Sequence, residues 1–177
     1  MKTCIITTEW EYDYLRSQLF PPGSEDEHFG FGLAGVNRYS EGCNILLRKF
    51  IFADSSCLEK QSGGYIRPKL AFVKYVWTLA KKSDSVLIDL HTHPFCDKGV
   101  SFSPIDDNSE SGSFPMAVEY LGEGPHASIV FGRNSLDARW YNPQTKTSEP
   151  IASVKILGNT LKAITPTSSA SVLNRRP

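Results

Sequence analysis

The sequence has few cysteines, few histidines and no long hydrophobic run. Its four cysteines, Cys4, Cys43, Cys57 and Cys96, are scattered and form no C-x-x-C pair. In a chain without a secretory signal, such cysteines are typical of reduced thiols rather than of a disulfide framework. The amino-terminal residues contain no apolar signal core, and no segment approaches the roughly 20 apolar residues of a membrane helix. We therefore expect a soluble, cytoplasmic protein.

The chain also lacks an excess of charge of either sign. Its 177 residues carry 19 basic and 19 acidic side chains, so the formal net charge is zero. Binding to nucleic acid or to an acidic membrane would require clustered lysine and arginine, and neither partner is expected. The length favours one domain with a sizeable core, which we place at residues 1–164. The polar segment 165–177 is predicted to be a flexible tail.

Helical and strand patterns alternate along this domain. Thr8 and Glu11 form a capping-box pattern that predicts a first helix at about residues 8–20. Pro68 suits the first turn of a second helix, which ends near Lys82. Strands are predicted in HFGFGLAGV (28–36), CNILLRKFIFA (43–53), HASIVFG (126–132) and LDARWYN (136–142), and SVKILGNTLKAI (153–164) is predicted to be a strand or a helix. Together these elements indicate an α/β sandwich with a mixed sheet.

Two of the four histidines lie one residue apart in LIDLHTHPF (residues 87–95). The apolar residues before them predict a short strand that Pro94 ends. Residues two apart on a strand point to the same side, so His91 and His93 are expected to project together at a separation that one metal ion can bridge. The alternative is two half-exposed histidines near a turn. Cys96 lies near enough in sequence to be a further candidate ligand.

A carboxylate follows in SFSPIDDNSE (residues 101–110). Ser103 at the N-cap, Pro104 at the first helical position and Asp106 two positions later predict a helix start, which is a rigid place for a ligand. Two neutral imidazoles and one carboxylate are the ligand set of a catalytic zinc site. Such a zinc ion lowers the pKa of a water molecule toward about 7, and a nearby glutamate would then transfer the proton.

The sequence H-T-H-P followed by S-x-x-D resembles the JAMM motif of the JAB/MPN+ metalloproteases. In that family a glutamate opens an early strand in a pattern close to E-x-x-G-x-L-x-G, and EHFGFGLAG (residues 27–35) resembles it. The order of helix, glutamate strand, hairpin strand, helix, histidine strand and S-x-x-D helix also agrees, over roughly residues 8–163. The resemblance implies an MPN (JAB)-like α/β sandwich, with a mixed, mostly antiparallel sheet flanked by helices.

Carried over to this sequence, the resemblance implies that His91, His93 and Asp106 bind one zinc ion. Glu27 would be the general base and acid, and Ser103 would help to stabilise the oxyanion. The implied activity is that of a zinc-dependent peptidase or isopeptidase. It would be similar to a deubiquitinase and would cut after the C-terminal tail of a ubiquitin-like protein.

The way in which this tail binds is a further expectation. An extended tail would pair alongside a sheet edge. Phe29 and Phe31 alternate with Gly30 and Gly32 in the predicted glutamate strand, so this strand has one bulky face and one bare face. The bare face predicts a narrow channel beside Gly30 and Gly32 that favours a diglycine tail.

The sequence departs from the family pattern between the histidines and the serine. Nine residues separate His93 from Ser103, where the family's usual spacer has seven, and a two-residue insertion in a loop costs little free energy. Asp107 is adjacent to Asp106 and is an alternative ligand, although the S-x-x-D spacing favours Asp106.

Glu41 is the alternative to Glu27 as the general base, because it also precedes an apolar strand. Choosing Glu41 would leave no returning hairpin strand before the long helix, so we favour Glu27 and interpret Glu41 as a solvated turn residue. His28 is expected to face away from Glu27. His126 begins a predicted strand and is interpreted as a structural or surface residue.

The compact chain looks more like bacterial JAB proteins that accompany E1-like enzymes than like eukaryotic relatives with long insertions. This likeness implies a small conjugation pathway with E1-like and E2-like partners, in a role such as antiviral defence. The enzyme would mature the modifier or remove it from targets. A non-catalytic MPN scaffold and a protease for a sulfur-carrier protein are alternatives. Amidohydrolase and PHP barrels also contain IDLHTH, but they need more histidines and over 200 residues.

Overall fold

The chain folds into one curled sheet with helices on both of its faces. The computed structural model describes residues 2–169. A short 3-10 helix spans Ser55–Cys57, and the other elements are β1 (Lys2–Thr8), α1 (Glu9–Leu19), β2 (Phe29–Tyr39), β3 (Gly42–Phe52), β4 (Leu58–Ser62), β5 (Tyr65–Pro68), α2 (Leu70–Lys82), β6 (Val86–Thr92), α3 (Pro104–Leu121), β7 (Ala127–Phe131), β8 (Leu136–Asn142), β9 (Thr147–Pro150), β10 (Ser153–Leu157) and β11 (Leu161–Ile164). None of the helices in this part of the chain combines the length and the hydropathy that a membrane crossing requires.

Nine strands form the main sheet, in the order β11-β10-β1-β3-β2-β6-β7-β8-β9, and β4 pairs with β5 in a separate hairpin. The pairs β1–β10, β1–β3 and β6–β7 are parallel, whereas the other neighbours in the main sheet are antiparallel. The predicted α/β class and mixed, mostly antiparallel sheet are therefore confirmed.

The sheet curls until its two ends approach each other. β9 lies at one end of the strand order and β10 is next to the other end, yet only Ile151 and Ala152 connect them. The Ile151 N–H donates to the Ala138 carbonyl on β8, and the Ala152 N–H donates to the Thr3 carbonyl on β1, both at short range (2.9 and 2.8 Å). Because these bonds join opposite ends of the order, the concave face of the sheet encloses the larger core.

Two separate hydrophobic cores lie on the two faces of the sheet. The concave core packs α1, through Leu15 and Leu19, against inward-facing strand residues such as Ile88 and Leu90 of β6. The convex core lies under α2 and comprises Phe29, Phe31, Leu33, Phe72, Val76, Ala80 and Leu87. Because side chains alternate along a strand, a strand packed on both faces has almost no polar positions. The histidine-bearing strand β6 begins with this pattern at Val86–Ile88, but it also carries Asp89, His91 and Thr92.

The first predicted helix is confirmed, with its capping box. Thr8 accepts a hydrogen bond from the Glu11 N–H, and the Glu11 carboxylate accepts one from the Thr8 N–H. The strand β1 before it was not anticipated. It pairs in parallel with β3 and with β10, so its partners are distant in sequence.

Three further segments have features that the sequence analysis did not predict. Pro68 ends β5 rather than beginning α2, whose N-cap is Lys69. The segment 55–64, for which no helix or strand was predicted, contains the 3-10 turn and β4. α3 is one continuous helix despite Pro115. Proline has no N–H to donate to the carbonyl of Ser111, four residues earlier. Because Ser111 and Pro115 are both exposed, water can bond that carbonyl instead.

The carboxyl-terminal segments are also more ordered than the sequence indicated. Residues 153–164, predicted to be a strand or a helix, form two strands, the antiparallel pair β10–β11. Thr167 and Ser169, within the predicted flexible tail, donate hydrogen bonds to the carbonyls of Leu136 and Ile151 (3.3 and 2.6 Å). The domain therefore extends beyond the predicted boundary at residue 164. The rest of that predicted tail, 170–177, lies outside the described residues.

The glycine face of β2 points into the concave core, and no channel runs beside it. A Cβ atom added to Gly32 would overlap Cδ1 of Leu47 and lie 3.4 Å from Cβ of Ile88. A Cβ atom on Gly30 would lie 2.9 Å from the Phe52 ring. The predicted diglycine channel beside Gly30 and Gly32 is therefore wrong, because large side chains from β3 and β6 fill that face.

Replacing Gly32 with valine is accordingly expected to destabilise the fold rather than to narrow a channel. Overpacking a close-packed core costs about 1–3 kcal/mol, and chemical denaturation measures this loss. The control is Gly112→Ala in α3, where an added Cβ meets nothing within 4 Å. That change should raise the free energy of unfolding by about 0.5–1 kcal/mol. Unchanged stability of Gly32→Val would contradict this packing.

Candidate metal centre

β6 positions both histidines. His91 lies in the strand and His93 lies one residue beyond its end, where the His93 N–H donates to the Phe131 carbonyl of β7 (2.9 Å). The two rings share the convex face, with centroids 5.2 Å apart. Both residues are buried, at 7% and 6% exposure. The strand geometry thus brings the imidazoles together as the sequence predicted.

The amino-terminal end of α3 positions the carboxylate. Ser103 is the N-cap, and its hydroxyl accepts a hydrogen bond from the Asp106 N–H (3.3 Å). In return, Oδ2 of Asp106 accepts one from the Ser103 N–H (2.7 Å). This capping box fixes the orientation of the carboxylate, whose two oxygens also face the histidines.

His91, His93 and Asp106 form a group that could hold a metal ion. Their ligand atoms all lie within 4.8 Å of one another, and no other such group occurs among residues 2–169. Nε2 of His91 is 3.3 Å from Oδ1 of Asp106, and Nε2 of His93 is 3.5 Å from Oδ2. Nε2 of His91 is buried and makes no hydrogen bond of acceptable geometry within the described chain. A buried nitrogen left without a hydrogen bond fits a metal ligand.

The alternative ligands are placed elsewhere. Asp107 points away from the histidines and forms an ion pair with Arg139 on β8 (2.6 Å). Cys96 lines the same cleft but does not belong to the three-residue group. Two imidazoles and one carboxylate match the ligand set of a catalytic zinc site, which leaves one coordination position open.

Glu27 lies beside this group, just before β2. Oε1 of Glu27 is 3.9 Å from Nε2 of His93, and the residue is buried at 4% exposure. Its backbone is held by β4, because its N–H donates to the Ser62 carbonyl and its carbonyl accepts from Nε2 of Gln61 (both 2.9 Å). Glu41, the alternative base, is exposed in the β2–β3 turn.

The middle residue of the H-T-H sequence helps to hold Glu27 near His93. Thr92 is fully buried and points to the opposite face of β6. Its hydroxyl accepts a hydrogen bond from the His28 N–H (2.8 Å), and its own N–H donates to the His28 carbonyl (3.1 Å). Thr92 therefore ties the residue next to Glu27 to the strand that carries both histidines.

The carboxylates of this site have pKa values shifted in opposite directions. Burial raises the pKa of Glu27 to about 7, with His93 acting against this shift and Asp106 adding to it. Burial also acts to raise the pKa of Asp106, but the adjacent imidazoles of His91 and His93 and the Ser103 backbone hold it well below its usual range. Thus Asp106 is ionised, while Glu27 can gain or lose a proton near neutral pH.

The raised pKa of Glu27 predicts a pH-dependent stability of the metal-free protein. The folded state keeps this proton up to about pH 7, whereas the unfolded chain loses it near pH 4.3. The stabilisation of the folded state by protonated Glu27 is therefore fully present below the unfolded pKa. It is lost as the pH rises through 7, which lowers the free energy of unfolding by on the order of 3 kcal/mol. Chemical denaturation in the presence of a chelator should show that the free energy of unfolding falls more steeply across this pH range for the wild type than for Glu27→Gln. Parallel curves would contradict the assignment.

A cleft of about 660 Å³ contains the three-residue group, Glu27 and Ser103. It continues beyond them between α2 and α3, over residues that the sequence interpretation missed. Asp89 of β6 and Glu110 of α3 line this inner part. Burial and the nearby Glu110 raise the pKa of Asp89 to about 8. The sequence could have pointed to Asp89, because it is the one acidic residue in the apolar run before the histidines. No sequence pattern pointed to Glu110.

Neither a scan against protein-family models nor a search of curated proteins finds a match for this chain.

Proposed function

We propose that the protein is a zinc-dependent peptidase of the JAMM type that cuts after the C-terminal tail of a ubiquitin-like protein. The observation that carries this proposal is the position of Glu27. A buried carboxyl group with a pKa of about 7 lies 3.9 Å from His93, at the edge of a group that could hold a metal ion. A site that only stored a metal would have no need of such an acid–base group.

The residues of the site divide the chemistry among themselves. His91, His93 and Asp106 would hold the zinc ion, which would supply Lewis-acid polarisation and make a water molecule more acidic. Glu27 takes the proton from the attacking water and passes it to the nitrogen that leaves. A pKa near 7 suits both halves of this transfer.

Ser103 is suited to stabilising the negative charge that develops on the scissile carbonyl oxygen. Its hydroxyl oxygen already accepts the Asp106 N–H (3.3 Å), so the hydroxyl hydrogen is directed elsewhere. The residue lines the cleft and is half-buried. A fixed hydroxyl donor at this position would strengthen its hydrogen bond as the oxyanion forms.

β5 offers the sheet edge along which an extended tail would bind. Among the described strands, β5 pairs only with β4, so its other edge is open. Residues 64–68, which include β5, line the cleft that leads to Glu27 and His93. Pairing of a tail with this edge by main-chain hydrogen bonds would deliver its last residue to the reacting centre.

The arrangement of elements supports an MPN-like version of the α/β fold. The glutamate precedes β2, the returning strand is β3, α2 precedes the histidine strand β6, and α3 begins at S-x-x-D. This is the order that the family resemblance implies. E1-like and E2-like enzymes of the same pathway, and a cytoplasmic location, belong to the same proposal.

Incubation with fusions of candidate ubiquitin-like proteins tests the activity. Each candidate carries a reporter after its C-terminal residue, joined by a peptide bond in one series and by a lysine isopeptide bond in the other. We expect cleavage after the last residue of at least one candidate, seen by intact mass. A chelator should abolish this cleavage and added zinc should restore it. Intact fusions throughout, with a zinc-loaded protein, would refute the proposal.

A further inference from the structure

The cleft has an inner chamber that the proposed chemistry does not use. Its polar groups are Asp89 of β6, Ser128 of β7 and Ser113 of α3, and its apolar walls include Phe31, Trp77 and Phe114. Asp89 lies two residues before His91 and so faces the same side of the strand. Residues two apart on a strand are separated by roughly 7 Å. The Asp89 carboxyl group therefore lies about that distance along the strand from the candidate metal ligand His91.

The floor of the chamber is a row of polar residues across three adjacent strands. Asp89 is the register partner of Ser128, and Ser128 is the register partner of Arg139. The Arg139 guanidinium is already neutralised, since Nε is 2.7 Å from Oε2 of Glu110 and Nη1 is 2.6 Å from Oδ1 of Asp107. Two carboxyl groups, those of Glu110 and Asp107, therefore share one cation, and Asp89 has none.

Two of the polar groups that face the chamber, the carboxyl group of Asp89 and the hydroxyl of Ser113, have no hydrogen-bond partner in the described chain. No hydrogen bond or salt bridge joins the Asp89 carboxyl group to another residue in the described chain. The buried hydroxyl of Ser113 makes no hydrogen bond within residues 2–169, whereas the Ser128 hydroxyl interacts with the Glu110 carboxyl group. Ser128 is 1% exposed. Buried polar groups are almost always hydrogen-bonded, so unpartnered ones indicate a ligand that supplies the donors.

The chemistry of the chamber selects an organic cation over a metal ion. The described part of the chain contains no second group of three potential metal ligands. The walls are apolar and aromatic, which suits a chain of methylene groups, while the one unpaired carboxyl group and two hydroxyls suit N–H donors. A lysine side chain combines these two features, and its positive charge would favour the ionised form of Asp89, which burial and Glu110 otherwise disfavour.

We propose that this inner chamber binds a lysine or arginine side chain of the substrate, with its cationic group at Asp89. The proposal rests on the proposed function in one respect, namely that the basic residue lies next to the bond that is cut. The basic side chain would enter between α2 and α3 while the main chain passes His91 and His93. Asp89 would thus determine which substrates are accepted without taking part in the reaction.

Binding of small probes tests the chamber without any hydrolysis. Nα-acetyl-lysine N-methylamide and its norleucine counterpart differ by the ammonium group and are titrated into the full zinc-loaded chain by calorimetry. We expect the wild type to bind the lysine compound about ten- to hundredfold more tightly. Asp89→Asn should reduce this preference to within about twofold. The matched control is Asp13→Asn, which changes an exposed residue of α1 and should keep the full preference.

Equal affinity of the wild type for the two compounds would overturn the proposal, and this comparison requires no variant to fold. A preference that survives in Asp89→Asn would also overturn it, because the amine would then be bound elsewhere, for example at zinc. A parallel assay compares kcat/KM for substrates with lysine or norleucine beside the cut bond. If the probes discriminate and no substrate is cut, the chamber stands and the proposed peptidase function fails.

Discussion

Replacing Glu27 with glutamine is expected to lower kcat by about 10²- to 10⁴-fold while zinc binding stays intact. Glutamine keeps the size of the side chain but can neither take the proton from water nor return it to the leaving nitrogen. Glu27 lies outside the group of His91, His93 and Asp106, so the ligand set is unchanged. The backbone bonds of residue 27 to Ser62 and Gln61 are also kept, since they do not involve its carboxyl group.

Glu41→Gln is the matched control for this change. It makes the same substitution at the alternative glutamate, which is exposed in the β2–β3 turn, and it should retain wild-type kcat. Zinc content and steady-state kinetics are measured on the same preparations. The assignment of Glu27 as the acid–base residue would be wrong if Glu27→Gln stayed within about threefold of the wild type.

Replacing Asp106 with asparagine is expected to remove both zinc and activity. The variant loses a charged ligand, whereas the amide oxygen can still accept the Ser103 N–H at the start of α3. Zinc at a hundred times its Kd should stabilise the wild type by about 2.7 kcal/mol, because a ligand that binds only the folded state favours folding. This stabilisation, together with hydrolysis above the uncatalysed background, should disappear in Asp106→Asn.

Asp107→Asn separates this effect from a general change at the helix terminus. It removes the neighbouring carboxylate, whose partner is Arg139 rather than a histidine (2.6 Å), and should leave zinc binding and turnover close to the wild type. Metal analysis and thermal unfolding with and without zinc distinguish the two variants. If Asp107→Asn lost zinc and Asp106→Asn kept it, the ligand assignment would move by one residue.

The two buried carboxyl groups near the histidines illustrate how placement sets chemical role. Asp106 receives the Ser103 N–H and faces both imidazoles, so its charged form is favoured despite burial. Glu27 is more deeply buried and has only the more distant His93 beside it (3.9 Å), so its neutral form is stabilised up to about pH 7. The same functional group would thus serve as a ligand in one position and as an acid–base group in the other.

The amino-acid sequence by itself determined the features that depend on near neighbours in the chain. The capping boxes at Thr8 and Ser103, the helices that follow them and the shared side of His91 and His93 were all predictable. Each follows from a hydrogen bond within four residues or from the two-residue period of a strand. For this reason the three potential metal ligands could be named before any tertiary contact was known.

Only the tertiary structure decided which face of each strand meets which core. The period of two shows that Gly30 and Gly32 share one side of β2 and that Phe29 and Phe31 share the other, but it does not say which side faces the cleft. Both sides of β2 are buried, so polarity gives no help, and the channel predicted on the glycine side was wrong. The pairing of β1 with β3 and β10 likewise depends on contacts between distant residues.

The inner chamber belongs to the same category. Asp89, Ser128 and Arg139 come together only because β6, β7 and β8 are adjacent in register, and Glu110 reaches them only because α3 lies across those strands. Nothing local in the chain links these four positions. Local hydrogen bonds and strand periodicity thus determine where the candidate metal ligands lie. Long-range packing determines the chamber beside them, in which we propose that a substrate side chain binds.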